Sequence, residues 1–395
     1  MLDGFTPWPV DLARRWRESG LWTGQTLWDM VAATVARLPD KTALVAGDTR
    51  QTYADLNRIS ARLGAALLRQ GLRPLDRVVL QLPNIPEFVH YYLALVRIGA
   101  IPVMALRAHR HTEVRHFIRA SGAVAYVIPD VAHRFDYRPM AIEMQREFAD
   151  LRQVIAVGEP APGQTAHADL MTGDDDEAAM AAQLATARFG PDDVATMLLS
   201  GGTTSLSKLI PRTHQDYVLN ARLCGQAAGF DEQTVFMAIL PLGHNYNLAS
   251  PGILGTFHYG GTVVLAPGTD TADIFRLVEQ ERVSVIASVV PLISAWLGSD
   301  EPRRHDLSSL RVVQNGGARL PPELRQRLMT QLGCTPQEIY GTAEGLINMT
   351  RLDDPPEVLL HSSGRPVCEA DEIKVVDDQD REVPDGEPGE LLTRG

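Results

Sequence analysis

The chain has 395 residues, with 37 Lys and Arg against 49 Asp and Glu, a formal net charge of −12. At 45% hydrophobic and 22% charged residues the composition is globular, which excludes a disordered or collagen-like chain. The acidic balance and the lack of a basic run speak against a nucleic-acid partner, since phosphate-backbone affinity needs clustered Lys and Arg. Cys224, Cys334 and Cys368 lie far apart, with neither disulfide-framework nor zinc spacing. The N-terminus lacks a signal-peptide apolar core, and no run of roughly 18 apolar residues appears. A cytoplasmic protein without a membrane partner is expected.

In chain order, helical periodicity comes first, over Thr26–Leu38, where Leu27, Met30, Val31, Val35 and Leu38 share a face. Strand-length apolar runs follow at Arg77–Leu82, Ile101–Leu106, Ala123–Ile128, Gln153–Val157, Ala195–Leu199, Thr262–Ala266, Val283–Val290 and Leu310–Val313. Their consecutive apolar residues predict strands buried on both faces, as in parallel sheets. Helical segments such as Pro86–Ile98 and Asp273–Gln280 lie between them, and this alternation implies βαβ units. Glu159–Gly190 interrupts the rhythm and reads as a surface connection. Its acidic run Asp174-Asp175-Asp176-Glu177 reads as a solvated helix N-terminus in preference to a metal site. Near the end, Glu372–Val376 and Glu390–Thr393 read as two antiparallel strands around a polar turn. The expected fold is α/β, with two βαβ subdomains whose largely parallel sheets pack together (1–190 and 191–355). The start of a small antiparallel β subdomain follows (356–395). The chain reads as cut short, with a C-terminal lid domain absent.

Three segments carry chemistry. In Leu198-Leu199-Ser200-Gly201-Gly202-Thr203-Thr204-Ser205-Leu206-Ser207-Lys208 a strand runs into glycines and hydroxyls and ends on a lysine. Glycines let backbone N–H groups approach a phosphate, the hydroxyls donate, and Lys208 adds charge. The spacing does not match GxxxxGK(S/T), which disfavours a P-loop NTPase. The strand leading to Asn315-Gly316-Gly317-Ala318 offers bare backbone to a flat ring. Ile339-Tyr340-Gly341-Thr342-Ala343-Glu344-Gly345 supplies an aromatic ring, a hydroxyl and a carboxylate suited to Mg²⁺. Singly, each segment is as compatible with a structural turn; their joint order is what points to a site.

With these motifs the chain resembles the adenylate-forming superfamily of acyl-CoA synthetases, luciferases and nonribosomal-peptide adenylation domains. Within it the likeness is to stand-alone aryl-acid–AMP ligases of siderophore biosynthesis, above all 2,3-dihydroxybenzoate–AMP ligases. It runs from FTPWP through IGAIPVMAL and KLIPRTHQDY to GTAEGLINMTRLDD and GELLTRG. The resemblance implies ATP and Mg²⁺, acyl-adenylate formation with release of pyrophosphate, and transfer to the phosphopantetheine thiol of an aryl carrier protein. It places the phosphate loop on Ser200, Gly201, Gly202, Thr203, Thr204 and Lys208. Gly316, Gly317, Ala318, Tyr340 and Gly341 then form the adenine slot. Thr342 falls on the α-phosphate, Glu344 on Mg²⁺, and His244 counts with these two as catalytic. The aryl-acid pocket takes His244, Asn245, Tyr246, Ser250, Gly316 and Ile347. Asn245 and Ser250 supply polar groups for substrate hydroxyls in a flat apolar slot, and Ser at position 250 goes with 2,3-dihydroxybenzoate. Ile347 and Met349 leave salicylate and other hydroxylated aryl or heteroaryl acids open. His244 is also compatible with a purely structural role in its turn.

The likeness has two departures. Ser205, Leu206 and Ser207 stand where the superfamily has glycine, threonine and proline, so weaker ATP binding is expected. The superfamily also continues beyond such a point with a ribose-binding Asp, a hinge and a mobile domain bearing a catalytic Lys. Impaired adenylation, or a non-catalytic aryl-acid-binding relative, is therefore a second expectation.

Overall fold

The computed structural model describes residues 2, 4–172, 176–201 and 206–395. Among these residues, two large sheets organise the chain. The larger runs Arg365–Pro366, Ile347–Met349, Thr335–Gly341, Val312–Asn315, Val285–Ser288, Val235–Ala238, Thr262–Leu265, Thr42–Ala46, Thr49–Thr52. Its centre is parallel, and antiparallel pairs close both edges. The smaller runs Leu209–Thr213, Val194–Leu199, Ile101–Met104, Arg77–Leu80, Ala125–Pro129, Gln153–Val157, Thr165–Ala166, parallel except for its first pair. Both sheets draw strands from either side of residue 190.

The burial pattern explains the apolar runs. Val78 and Leu80 join the core layer between the sheets, whereas Val79 packs on the outer face of the smaller sheet. Val263 and Val264 divide in the same way across the larger sheet. Successive strand side chains alternate, so a strand covered on both faces must be apolar at every position. The central layer consists of helices, among them Leu27–Arg37, Tyr53–Arg69, Pro86–Arg97, His214–Ala227 and Gly252–Tyr259. Thr26 and Thr52 open two of these helices with complete capping boxes through Asp29 and Asp55.

Three expectations need correction. Val283–Val290 is a strand only over Val285–Ser288; Val290–Leu297 is a helix with Pro291 in its first turn, where proline is tolerated. The strand read at Leu310–Val313 lies at Val312–Asn315. Polar Gln314 and Asn315 are buried in it with partners across the sheet: Gln314 Nε2 donates to Gln337 Oε1 at 2.9 Å and Asn315 Nδ2 to Glu338 Oε1 at 3.2 Å. Glu159–Gly190 is more than a connection. Thr165–Ala166 edges the smaller sheet, and the helix Glu177–Leu184 packs on Tyr53–Arg69, with Leu184 beside Gly64. Asp176 caps that helix by accepting from the Ala178 and Ala179 N–H groups, in keeping with the helix-terminus reading; Asp174 and Asp175 lie outside the described residues. Glu372–Val376 and Glu390–Arg394 do pair antiparallel. No helix among the described residues is long and apolar enough to cross a membrane.

Candidate active site

Apart from the Ser200–Lys208 hairpin, which belongs to the smaller sheet, the candidate residues lie on or just beyond strands of the larger sheet, mostly near strand ends, a general ligand position in α/β sheets. Ser288, Asn315 and Glu338 end or near the end of three parallel neighbours, with Ser288 opposite Asn315 and Asn315 opposite Glu338. The chain then turns through Gly316, Gly317 and Ala318. Gly316 lies against the Tyr246 ring: a Cβ there would sit 3.0 Å from Tyr246 Cε1, so only glycine fits comfortably. Glu338 fixes this turn from below. Its carboxylate accepts from Asn315 Nδ2 at 3.2 Å and from Leu320 N–H at 3.1 Å, and pairs with Arg325 Nη2 at 3.0 Å. Desolvation pushes the Glu338 pKa up, opposed by the Arg325 charge.

The short helix Asn245–Ala249 forms the opposite wall. His244 caps it, with Nδ1 accepting the Tyr246 N–H at 3.2 Å. Accepting at Nδ1 leaves the proton on Nε2, so the ring is held as one neutral tautomer. His244 is exposed as a residue, yet desolvation of the ring lowers its pKa and favours the same neutral form. The structural role is thus present, and it leaves an Nε2–H donor for other use. Tyr246 is buried, and Asn245 is half-buried with Oδ1 accepting from the Tyr217 hydroxyl at 2.7 Å. Asn220 Nδ2 donates to the Ala249 carbonyl at 2.7 Å, so the helix His214–Ala227 grips both ends of this wall. Ser250 is 2% exposed, and its Oγ has no hydrogen-bond partner among the described residues. Ser288 Oγ and Asn315 Oδ1 are buried and unpartnered in the same sense. Unpaired buried polar atoms are costly, and these three, at strand ends and a helix end, are open to a hydrogen-bonding ligand.

The residues expected on the nucleotide side are mostly exposed. Tyr340 is 45% exposed on the strand next to the Gly316 turn. Ile347 is buried against Gly341, where a Cβ would come within 2.5 Å of its Cδ1. Thr342 N–H donates to the Leu346 carbonyl at 2.9 Å, closing a turn on which Glu344 stands exposed. Ser200 and Lys208 lock the base of the hairpin expected to hold phosphate by two bonds, Ser200 N–H to Lys208 O at 3.0 Å and Lys208 N–H to Ser200 Oγ at 2.9 Å. The readings on Gly202, Thr203, Thr204 and Ser205 lie outside the described residues; Gly201, Leu206 and Lys208 are exposed. Among the described residues no group of three His, Cys, Asp or Glu side chains forms a metal cluster. Glu344 as a single carboxylate fits Mg²⁺ held mainly by substrate phosphates.

Several contributors were not singled out from the sequence. Ser288 ends an apolar strand, Asn315 counts in the sequence only as the lead into its glycine turn, Glu338 looks like an ordinary polar residue, and Asn84 sits in another sheet's loop. Asn84 Nδ2 donates to the Leu240 carbonyl at 2.8 Å, and its Oδ1 accepts the Leu242 N–H at 3.1 Å, tying the sheets together just before His244. A cleft of about 1390 Å³ opens beside this tie, lined by Asn84, Arg107, Leu240, Gly243 and Leu265. It spans the loops after Arg77–Leu80 and Ile101–Met104 in one sheet and after Val235–Ala238 and Thr262–Leu265 in the other. In each pair the following helices pack on opposite faces of their sheet, which makes both loci switch points.

Over residues 31–395 the chain matches the family of AMP-binding enzymes. It is 43% identical, across 100% of its own length and 71% of the relative's, to a 2,3-dihydroxybenzoate-AMP ligase of Bacillus subtilis. It is 42% identical, across 100% of its length and 69% of the relative's, to a salicyl-AMP ligase/salicyl-S-ArCP synthetase of Mycobacterium tuberculosis. The apo structure of MbtA from Mycobacterium smegmatis superposes with a TM-score of 0.90 at 37% identity, covering 99% of this chain and 71% of that one. The chain therefore belongs to the AMP-binding enzyme family and is an adenylate-forming ligase.

Proposed function

We propose that the chain activates a hydroxylated aryl acid, with 2,3-dihydroxybenzoate as the preferred substrate, by adenylation with ATP. The observation that carries this reading is the buried, unpartnered Ser250 Oγ at the C-terminal end of the helix that also presents Asn245. A hydroxyl held in that position pairs with a ring hydroxyl and rejects acids that lack one. A carboxylate oxygen of the acid attacks the α-phosphorus, the bond to the bridging oxygen breaks, and pyrophosphate leaves. Lys208 neutralises phosphate charge and the Thr342 hydroxyl donates to a phosphate oxygen, the Gly316–Ala318 turn and Tyr340 hold the adenine, and the Asn245 amide orients the acid. Positioning and preset electrostatics dominate such transfers. Glu344 would hold Mg²⁺, which supplies charge neutralisation on the phosphates. The acceptor in the second half-reaction is the phosphopantetheine thiol of an aryl carrier protein; its sulfur attacks the acyl carbon and AMP departs. The cleft ending at Gly243 supports a route for that thiol beside His244. Magnesium use and a cytoplasmic location belong to the same reading.

The test is calorimetric titration and pyrophosphate exchange with 2,3-dihydroxybenzoate, salicylate and benzoate, repeated on Ser250→Ala. Wild type is expected to rank the three acids in that order. Ser250→Ala should bring dihydroxybenzoate and salicylate to within about threefold of each other, since one hydrogen bond to a substrate hydroxyl is lost. A preference for salicylate in wild type would remove dihydroxybenzoate as the favoured acid, and an undiminished dihydroxybenzoate preference in the variant would remove Ser250 as the group that selects it.

A further inference from the structure

The strand Leu209–Thr213 turns directly into the helix His214–Ala227. Two side chains of this corner reach the two ends of the candidate site. Arg212 is 2% exposed and is gripped by Asp216 at two points, Nε to Oδ2 at 2.5 Å and Nη2 to Oδ1 at 2.9 Å. Its remaining nitrogen, Nη1, donates at 3.0 Å to the carbonyl of Ala343, between Thr342 and Glu344. The same guanidinium lies over the Tyr217 ring, 5.1 Å from its centroid. Tyr217 is fully buried, and its hydroxyl donates to Asn245 Oδ1.

We propose that Arg212 and Tyr217 are positioning residues that set both ends of the site from one corner, Arg212 the Thr342–Glu344 turn and Tyr217 the Asn245 amide. The inference rests on the adenylation reading above. Asp216 already neutralises the Arg212 charge, so the third bond adds aim: the planar fork ties the phosphate hairpin's second strand to the turn that bears Thr342 and Glu344. For Asn245 the argument is one of donors and acceptors. With Oδ1 drawn toward Tyr217, the amide orientation is fixed and the NH₂ end is the one offered to a substrate, where it donates to a carboxylate or phenol oxygen. The terminal amide torsion is broad and nearly two-fold, so without the tyrosine hydroxyl either end of the amide turns toward the substrate. Tyr217 thereby decides which hydrogen-bonding group the aryl acid meets, without touching the acid itself. Nothing in the sequence ties Arg212 to Ala343 or Tyr217 to Asn245, 131 and 28 residues away.

The experiment measures pyrophosphate exchange and calorimetric binding of 2,3-dihydroxybenzoate for wild type, Tyr217→Phe and Arg212→Lys, each with a thermal melt. Tyr217→Phe removes one hydroxyl and keeps the packing. It is expected to raise the aryl-acid KM about three- to tenfold and weaken acid binding equally, with the ATP KM within about twofold and the melt nearly unchanged. Arg212→Lys keeps the charge opposite Asp216 but loses the fork, and is expected to raise the ATP KM or lower kcat about tenfold while acid binding holds. Parallel shifts in both KM values, or lower melting temperatures with unchanged kinetics, would assign a purely structural role and overturn the proposal. A wild-type chain that neither exchanges pyrophosphate nor binds a hydroxybenzoate would instead overturn the adenylation reading.

Discussion

Around Asn245, Tyr246 and Ser250, groups are buried or half-buried and held from several elements, whereas Tyr340, Glu344 and Lys208 stand open on a rim. The acid end resembles a protein interior: Glu338 holds the Gly316 turn, the helix His214–Ala227 grips the facing wall, and unpaired oxygens await a partner. The rim offers one ring, one carboxylate and one ammonium with few fixed neighbours. On the proposed reading, the difference teaches that acid recognition is preorganised, at a folding cost, while nucleotide contacts are completed when the ligand arrives. Substitutions beneath the acid end should therefore register first in stability, and substitutions on the rim almost wholly in nucleotide affinity.

The largest effect is expected at Glu338. Glu338→Ala leaves Arg325, 1% exposed, without its carboxylate and frees the Gly316–Leu320 turn. Breaking a buried pair by removing one partner typically costs about 3–5 kcal/mol, which chemical denaturation will read directly. Replacing both partners, Glu338→Leu with Arg325→Met, should recover part of that loss because no buried charge is then left unpaired. If the single substitution costs no more than an ordinary surface change, the preorganised half of the comparison fails.

A smaller effect, visible through pH, is expected at His214, which opens the helix carrying Tyr217. Its Nδ1 accepts the Leu27 N–H at 3.2 Å, and burial pulls its pKa down to about 4, against opposing charges from Asp193 and Asp29. The unfolded chain protonates this ring near pH 6.5 while the folded chain refuses the proton. Stability is therefore complete above pH 6.5 and falls as the pH drops toward 4, by about 2 kcal/mol at pH 5 from this group. His90 and His258, also lowered to about 4 by burial, act in the same direction. Asp371, raised to about 6 by burial and by Asp216, acts in the opposite one. His214→Gln isolates the contribution: its unfolding free energy should fall less than that of wild type between pH 7 and pH 5, by about 2 kcal/mol.

The split between buried wall and open rim also governs how much was legible in the sequence. Parallel strands announce themselves because both faces are covered, so Gln153–Val157 was readable to the residue. Val312–Asn315 was not, because its polar half is stabilised by Gln337 from a neighbouring strand. Of the candidate site, Gly316, Tyr340, Thr342 and Glu344 stand out in the sequence because glycines and hydroxyls next to strands are locally unusual. Ser288, Asn84, Arg212 and Tyr217 were not, because their roles come from partners brought close only by the packing of two sheets on shared helices. Local chemistry is written locally; its support is not.

The smallest effect on folding, and the cleanest test of the rim, is expected at Tyr340. The ring is 45% exposed at the end of its strand, so Tyr340→Ala should change the unfolding free energy by less than about 0.5 kcal/mol. Stacking of a base on an aromatic side chain is worth about 1–3 kcal/mol, so the same substitution should raise the ATP KM at least about fivefold. Binding of the aryl acid alone should stay within experimental scatter, because Asn245 and Ser250 stand on the opposite wall, held by Tyr217 and Asn220. Calorimetry with each ligand separately reads the two ends independently. A loss of acid binding in Tyr340→Ala would mean that the rim and the wall form one cooperative unit. An unchanged ATP KM would move the adenine off Tyr340 and leave the Gly316–Ala318 backbone as its only platform.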